Sequence, residues 1–190
     1  MYGIEHSLLC LILFVPIMAK RRVYKTTTIA RAKAAAAKYR SAQRKASEAA
    51  IRVRVLVVDD HAIVRKAICD LLSHDRTLDV ICQTASGEEA VSKAEELQPD
   101  LVLLDIGLPG ISGIEAARQI RQISPQSHII FLSQYDSLQM VNEALRVGGH
   151  GYVAKVDAGL DLLSAIRTVR EGTCFVSQRI RDQGWTAKRE

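Results

Sequence analysis

From Val53 onward the chain alternates between two hydrophobic rhythms. VRVLVV is a β-branched run that ends in Asp59 and Asp60. The next stretch, HAIVRKAICDLLSHD, places apolar residues at 63, 64, 67, 68, 71 and 72, the period of an amphipathic helix. Asp79 to Ala85 reads as a second strand. Ser86, with Glu89 three positions on, forms a capping box that opens a helix over Gly87–Leu97, and Pro99-Asp100 closes it. Leu101 to Leu104 is a short apolar run bounded by turn residues, the signature of a strand buried on both faces, and it ends on an acid, Asp105.

The pattern then repeats. A helix opens at Ser112 or Gly113 and runs to Ile123, where Ser124-Pro125 stops it. HIIFLS (128–133) is strand four, Ser137–Val147 a helix, and Gly148-Gly149 its stop. GYVAK (151–155) is strand five, and Ala158–Glu171 the last helix. Strand and helix alternate with short loops throughout. That order predicts a doubly wound α/β domain, five parallel strands covered by helices on both faces.

The first 52 residues follow neither rhythm. SLLCLILFVPIMA (7–19) is apolar and is followed by Lys20-Arg21-Arg22. It falls short of the roughly 20 residues that span a bilayer. Its charge lies on the wrong side for a secretory signal. Two readings stand: an N-terminal anchor with the rest of the chain in the cytoplasm, or an apolar piece upstream of a translation start at Met18. Residues 28–50 are rich in Ala, Lys and Arg, strong helix formers without an apolar stripe. A solvated, partly helical leader is the plain reading, and an arm that touches nucleic acid or an anionic surface is the sharper one.

Charge sharpens this division. Residues 1–54 hold twelve Lys and Arg against Glu5 and Glu48, a surplus of ten, whereas the remainder carries 14 basic against 19 acidic side chains. A basic arm precedes a mildly acidic domain. Cys10, Cys69, Cys82 and Cys174 are scattered, with no CxxC pair or Cys/His cluster. They fit small buried hydrophobes in a reduced cytosolic interior better than a disulfide frame or zinc site.

In an open α/β sheet, ligands bind beyond the carboxyl ends of the strands. There this chain places Asp59 and Asp60 after strand one, Asp105 after strand three, Ser133 after strand four and Lys155 after strand five. One such acid could simply cap a helix, and Asp59 or Asp60 could cap the first one. Three acids, a hydroxyl and an amine at one edge exceed what caps require. Crowded carboxylates call for a cation, and Mg2+ takes one or two carboxylates with phosphate oxygens and water. An aspartate can also attack phosphorus and carry an aspartyl phosphate. Alignment and charge neutralisation by a metal, a lysine and a hydroxyl suffice for that transfer.

These residues carry a resemblance. DDHAIVRKAI, LVLLDIGLPGISGIEAARQIR, IIFLS and GYVAK are similar in order and spacing to the receiver domain of two-component response regulators, over about Arg54 to Gly172. The nearest likeness is to the branch that usually bears a C-terminal helix-turn-helix. The resemblance implies a flavodoxin-like sheet of order 2-1-3-4-5. It implies Asp105 as phosphoacceptor and Mg2+ bound by Asp59, Asp60, Asp105 and the Gly107 carbonyl. Ser133 and Lys155 would hold the phosphoryl group, and Ser133 and Tyr152 would form the switch. The chain departs from the pattern at Val156, where many members have proline. It departs again at Gln134, a bulky residue beside the site, and at Gly107, which has no side chain to position water.

After Glu171 nineteen residues remain, GTCFVSQRIRDQGWTAKRE, similar to the start of the linker in that branch. With Gly172 and Gly184 inside it, this piece cannot supply the two helices and core of a helix-turn-helix, so no complete DNA-binding domain is expected. The expected division is an extension at 1–52, a receiver at 53–172 and a tail at 173–190. The leading expectation is a cytoplasmic phosphorylation switch, not a turnover enzyme. It would be loaded by a sensor histidine kinase or phosphotransfer protein and read by a downstream protein or by a second copy in a homodimer. The alternative is an adaptor that binds nucleic acid or a membrane surface through the basic arm. A phosphohydrolase would need a cap domain or a second acid two residues after Asp105, where Gly107 stands.

Overall fold

In a computed structural model the described residues are 52–186. The apolar run at 7–19 and the Ala/Lys/Arg-rich stretch at 28–50 lie outside them. The elements follow in the order β1 (Val53–Val58), α1 (Ala62–Ser73), β2 (Leu78–Thr84), α2 (Gly87–Leu97), β3 (Leu101–Asp105), α3 (Gly113–Ile123) and β4 (His128–Ser133). Then come α4 (Leu138–Arg146), β5 (Gly151–Ala154), a 3-10 turn (Lys155–Asp157), α5 (Ala158–Arg170), β6 (Phe175–Val176) and α6 (Gln178–Asp182). Ser86, Ser112 and Ser137 each accept the backbone N–H three residues on, so all three serines cap the helices that follow them.

The sheet is parallel with order β2-β1-β3-β4-β5-β6. The expected five strands are corrected to six. Phe175 and Val176 add to the outer edge of β5, where its backbone groups would otherwise face water. The pattern Cys-Phe-Val-Ser is too short for its period to announce a strand. Its pairing depends on β5 lying alongside.

Strand residues alternate between two apolar layers. Leu101 and Leu103 face α1 and α5, packing with Ile68, Leu72, Leu162 and Ile166. Val102 and Leu104 face α2, α3 and α4, packing with Ala90, Ile114, Ile120 and Val141. Ile180 of α6 joins this second layer. The α1 stripe is narrower than its sequence implies: Val64, Ile68, Leu71 and Leu72 face inward, while Ile63 is 86% exposed. It lies about 100° round the helix from Val64. Among the described residues the cysteines also depart from expectation, with Cys69 and Cys82 half-buried and Cys174 exposed, while Cys10 lies outside them. No helix among the described residues is long and apolar enough to cross a membrane.

Strand register sets the functional edge. Val58 pairs with Leu104, so Asp59 and Asp105 leave adjacent strands side by side. Asp105 pairs with Leu132, and Ser133 with Ala154, which brings Ser133 and Lys155 to the same end. The order reverses between β1 and β3, and a ligand crevice opens at such a switch point.

Candidate functional site

Asp59 and Asp105 come off the two central strands and are almost wholly buried, at 0% and 4% exposure. Neither Asp59 nor Asp60 caps α1. The cap position is His61, with no side-chain capping bond. Asp59 instead accepts the His61 N–H at 2.8 Å through Oδ1. Its Oδ2 lies 2.7 Å from Lys155 Nζ in an ion pair.

Lys155 is the hub. Its ammonium donates to Asp105 Oδ2 at 2.6 Å while staying beside Asp59. Burial works to lower the lysine pKa, but the hydrogen bond to Asp105 and the charges of Asp105 and Asp59 outweigh it and hold it above the usual lysine range. Asp105 Oδ1 accepts the Gly107 N–H at 3.2 Å, so the loop after β3 folds back onto the carboxylate. That loop requires Gly113. A Cβ there would stand 1.9 Å from the Asp105 carbonyl oxygen, so only glycine lets α3 start this close beneath the site.

Asp59, Asp60, His61 and Asp105 each offer a ligand atom within 4.8 Å of the others. Three carboxylates outnumber the one ammonium, and a buried Asp59 oxygen accepts no hydrogen bond. A hard divalent ion fits this donor set, taking oxygens and keeping water. His61 was not singled out from sequence. Its Nδ1 sits 2.6 Å from Asp60 Oδ1, and the adjacency DDH was the available signal.

Ser133 is fully buried at the end of β4, and its Oγ accepts the Tyr135 N–H at 3.0 Å. Tyr152 lies inside the core and donates its hydroxyl to the Tyr135 carbonyl at 2.7 Å. Burial pushes its phenol up to about 12, so it stays neutral. Tyr135 is the second residue the sequence reading passed over. Its ring approaches Gly107 beside the Asp105 carboxylate, with a Gly107 Cβ position 4.0 Å from both. Gln134, the bulky residue after Ser133, is exposed. The peptide bonds of the described residues are all trans, Lys155–Val156 included.

A flavodoxin-like parallel sheet with clustered acids and one lysine at its switch point is the frame of a receiver-type signalling domain. The chain belongs to the response regulator receiver domain family, whose model matches residues 55–170. It is 37% identical over 131 residues to the response regulator GacA of Pseudomonas viridiflava, covering 69% of this chain and 61% of that protein. It is 37% identical over 120 residues to the response regulator protein VraR of Staphylococcus aureus, covering 63% of this chain and 57% of that one. The crystal structure of a LuxR-family two-component response regulator from Aurantimonas sp. superposes with a TM-score of 0.65 at 32% identity. That likeness covers 68% of this chain and 92% of the other. The chain thus spans about three fifths of the length of the curated relatives it matches.

Proposed function

We propose that this chain is a phosphorylation-dependent switch in a two-component phosphorelay, acting in the cytoplasm, with Asp105 as phosphoacceptor. The observation that carries the reading is the Lys155 ammonium held 2.6 Å from Asp105 and 2.7 Å from Asp59 at the sheet's switch point. An Asp105 oxygen attacks the phosphorus of a phosphohistidine, the P–N bond breaks, and the imidazole leaves with the bonding pair. Lys155 orients the Asp105 carboxylate before transfer and neutralises phosphoryl oxygens afterwards, and Ser133 donates its hydroxyl to the same group. Asp59, Asp60, Asp105 and the Gly107 carbonyl would hold Mg2+, which supplies charge neutralisation of the phosphoryl oxygens when bound. Ser133 moves toward the phosphoryl group, and Tyr152, already packed inside, holds the Tyr135 backbone in the position that movement needs. The protein takes one phosphoryl group per cycle and is not a turnover enzyme.

The donor is a sensor histidine kinase or phosphotransfer protein. Ile63, Val156 and Leu160 support this, exposed by 86%, 74% and 85% on the segments that rim the acid edge. The output passes to a downstream protein or a second copy of the chain. The division into an extension at 1–52, a receiver at 53–172 and a tail at 173–190 belongs to the same reading, in which the residues of β6 and α6 fall in the third part. Acetyl phosphate with Mg2+ tests the reading. The wild-type chain gains one acid-labile phosphoryl group, and Asp105→Asn gains none. Labelling of Asp105→Asn at the wild-type rate overturns it.

A further inference from the structure

The last helix touches two loops at once. Ser133 ends β4 ahead of one loop, Lys155 opens the 3-10 turn after β5, and α6 with its C-cap Gln183 reaches both. Arg179 makes a two-pronged ion pair with Asp157, Nε to Oδ2 at 2.9 Å and Nη2 to Oδ1 at 3.3 Å. Asp157 lies two residues beyond Lys155. One turn on, Gln183 Nε2 donates to Asp136 Oδ2 at 3.3 Å, three residues beyond Ser133.

The helix is well placed to act on them because β6 anchors it. Phe175 pairs with Gly151 and Val176 with Tyr152. The Ser177 N–H donates to the Tyr152 carbonyl at 3.0 Å, and Ser177 Oγ accepts the Ala154 N–H at 3.2 Å. Val176 and Ile180 are buried in the layer that holds Phe131 and Tyr152, and Trp185 packs against it. Stability therefore resides in buried anchors. The Arg179 and Gln183 ties are exposed, and such pairs add little to folding. What they do is join the two loops through one short segment.

We propose that β6–α6 is a clip whose Arg179 and Gln183 position the two phosphoryl-binding loops against each other, and that a phosphoryl group on Asp105 tightens the clip in return. The proposal rests on the site reading above. If the ties favour the loop geometry that holds the phosphoryl group, the phosphoryl group favours the tied geometry by the same factor. Trp185, the sole tryptophan of the chain, reports the clip directly.

The test uses the full chain with acetyl phosphate and Mg2+, following both the rate of labelling and the half-life of the label. In Arg179→Ala with Gln183→Ala the rate or the half-life falls by about two- to fivefold, the range of exposed pairs, with the thermal midpoint unchanged. Arg179→Lys recovers part of the loss, since lysine pairs with Asp157 but cannot grip it with two nitrogens. Gln178→Ala, whose side chain bonds Asp182 on its own helix, behaves as wild type. Trp185 emission shifts on phosphorylation of the wild type and stays still in Asp105→Asn. A labelled wild type whose Trp185 signal does not move, or a double variant with wild-type kinetics, overturns the clip alone. A wild type that takes no label overturns the site reading and the clip with it.

Discussion

Lys155 stands between two buried carboxylates, and its removal would leave them without the cation that neutralises them. Lys155→Met is expected to lose about 3 kcal/mol in chelator, the penalty of an unpaired buried charge. Mg2+ restores part of it by taking the lysine's place beside the acids, which chemical denaturation with and without the ion measures. Tyr135 governs a different property. Its ring approaches Gly107 beside the Asp105 carboxylate, where the chain has no side chain of its own to screen water. Tyr135→Ala keeps the carbonyl that accepts the Tyr152 hydroxyl but opens the mouth of the site. The phosphoryl half-life should shorten several-fold with the labelling rate little changed, as a pulse-chase of the labelled protein will show.

At the level of elements, β3 and α3 form one device. β3 carries Asp105 on a strand buried on both faces, and α3 begins where Gly113 touches the Asp105 carbonyl. A methyl group at 113 must push the two apart. Gly113→Ala should cost about 3 kcal/mol, at the upper end of overpacking penalties, and abolish labelling even where the chain still folds. Circular dichroism and acetyl-phosphate labelling of the same sample distinguish the two effects. Most elements were legible beforehand, because β-branched runs and serine caps are local signals. The edge strand β6 was not. Two residues carry no period, and their reason for pairing lies in β5. The inward-only stripe of α1 was also hidden, since Ile63 looks like a core residue until the helix is set against the sheet.

The whole molecule answers to pH in two stages. Burial, with His128 and Arg121 beside it, pushes His150 down to about 4, and its Nδ1 accepts the Ile129 N–H. The unfolded chain binds a proton near the usual 6.5 and the folded one does not. Stability is therefore full above 6.5 and declines as pH falls toward 4, by about 1 kcal/mol once the ring's partial exposure is allowed for. Below that, Asp75, Glu88, Glu115 and Glu143, all held below the usual carboxylate range by hydrogen bonds, add their own loss. Urea midpoints from pH 4 to 7 test the first stage, which His150→Gln should flatten. The same scale governs docking. Leu160→Asp should slow transfer from a phosphohistidine protein while leaving acetyl-phosphate labelling near wild type, because the rim lies outside the acid cluster.

Sequence alone determined the alternation of strands and helices, the acids at the ends of β1 and β3, and the lysine after β5, since each depends on local period and turn chemistry. Only the tertiary structure decided that Lys155 bridges Asp59 and Asp105, that Tyr152 is bonded to Tyr135, and that Phe175 and Val176 extend the sheet beyond β5. Those depend on strand register and on contacts between residues far apart in the chain, and no local pattern encodes a register until both strands are in place.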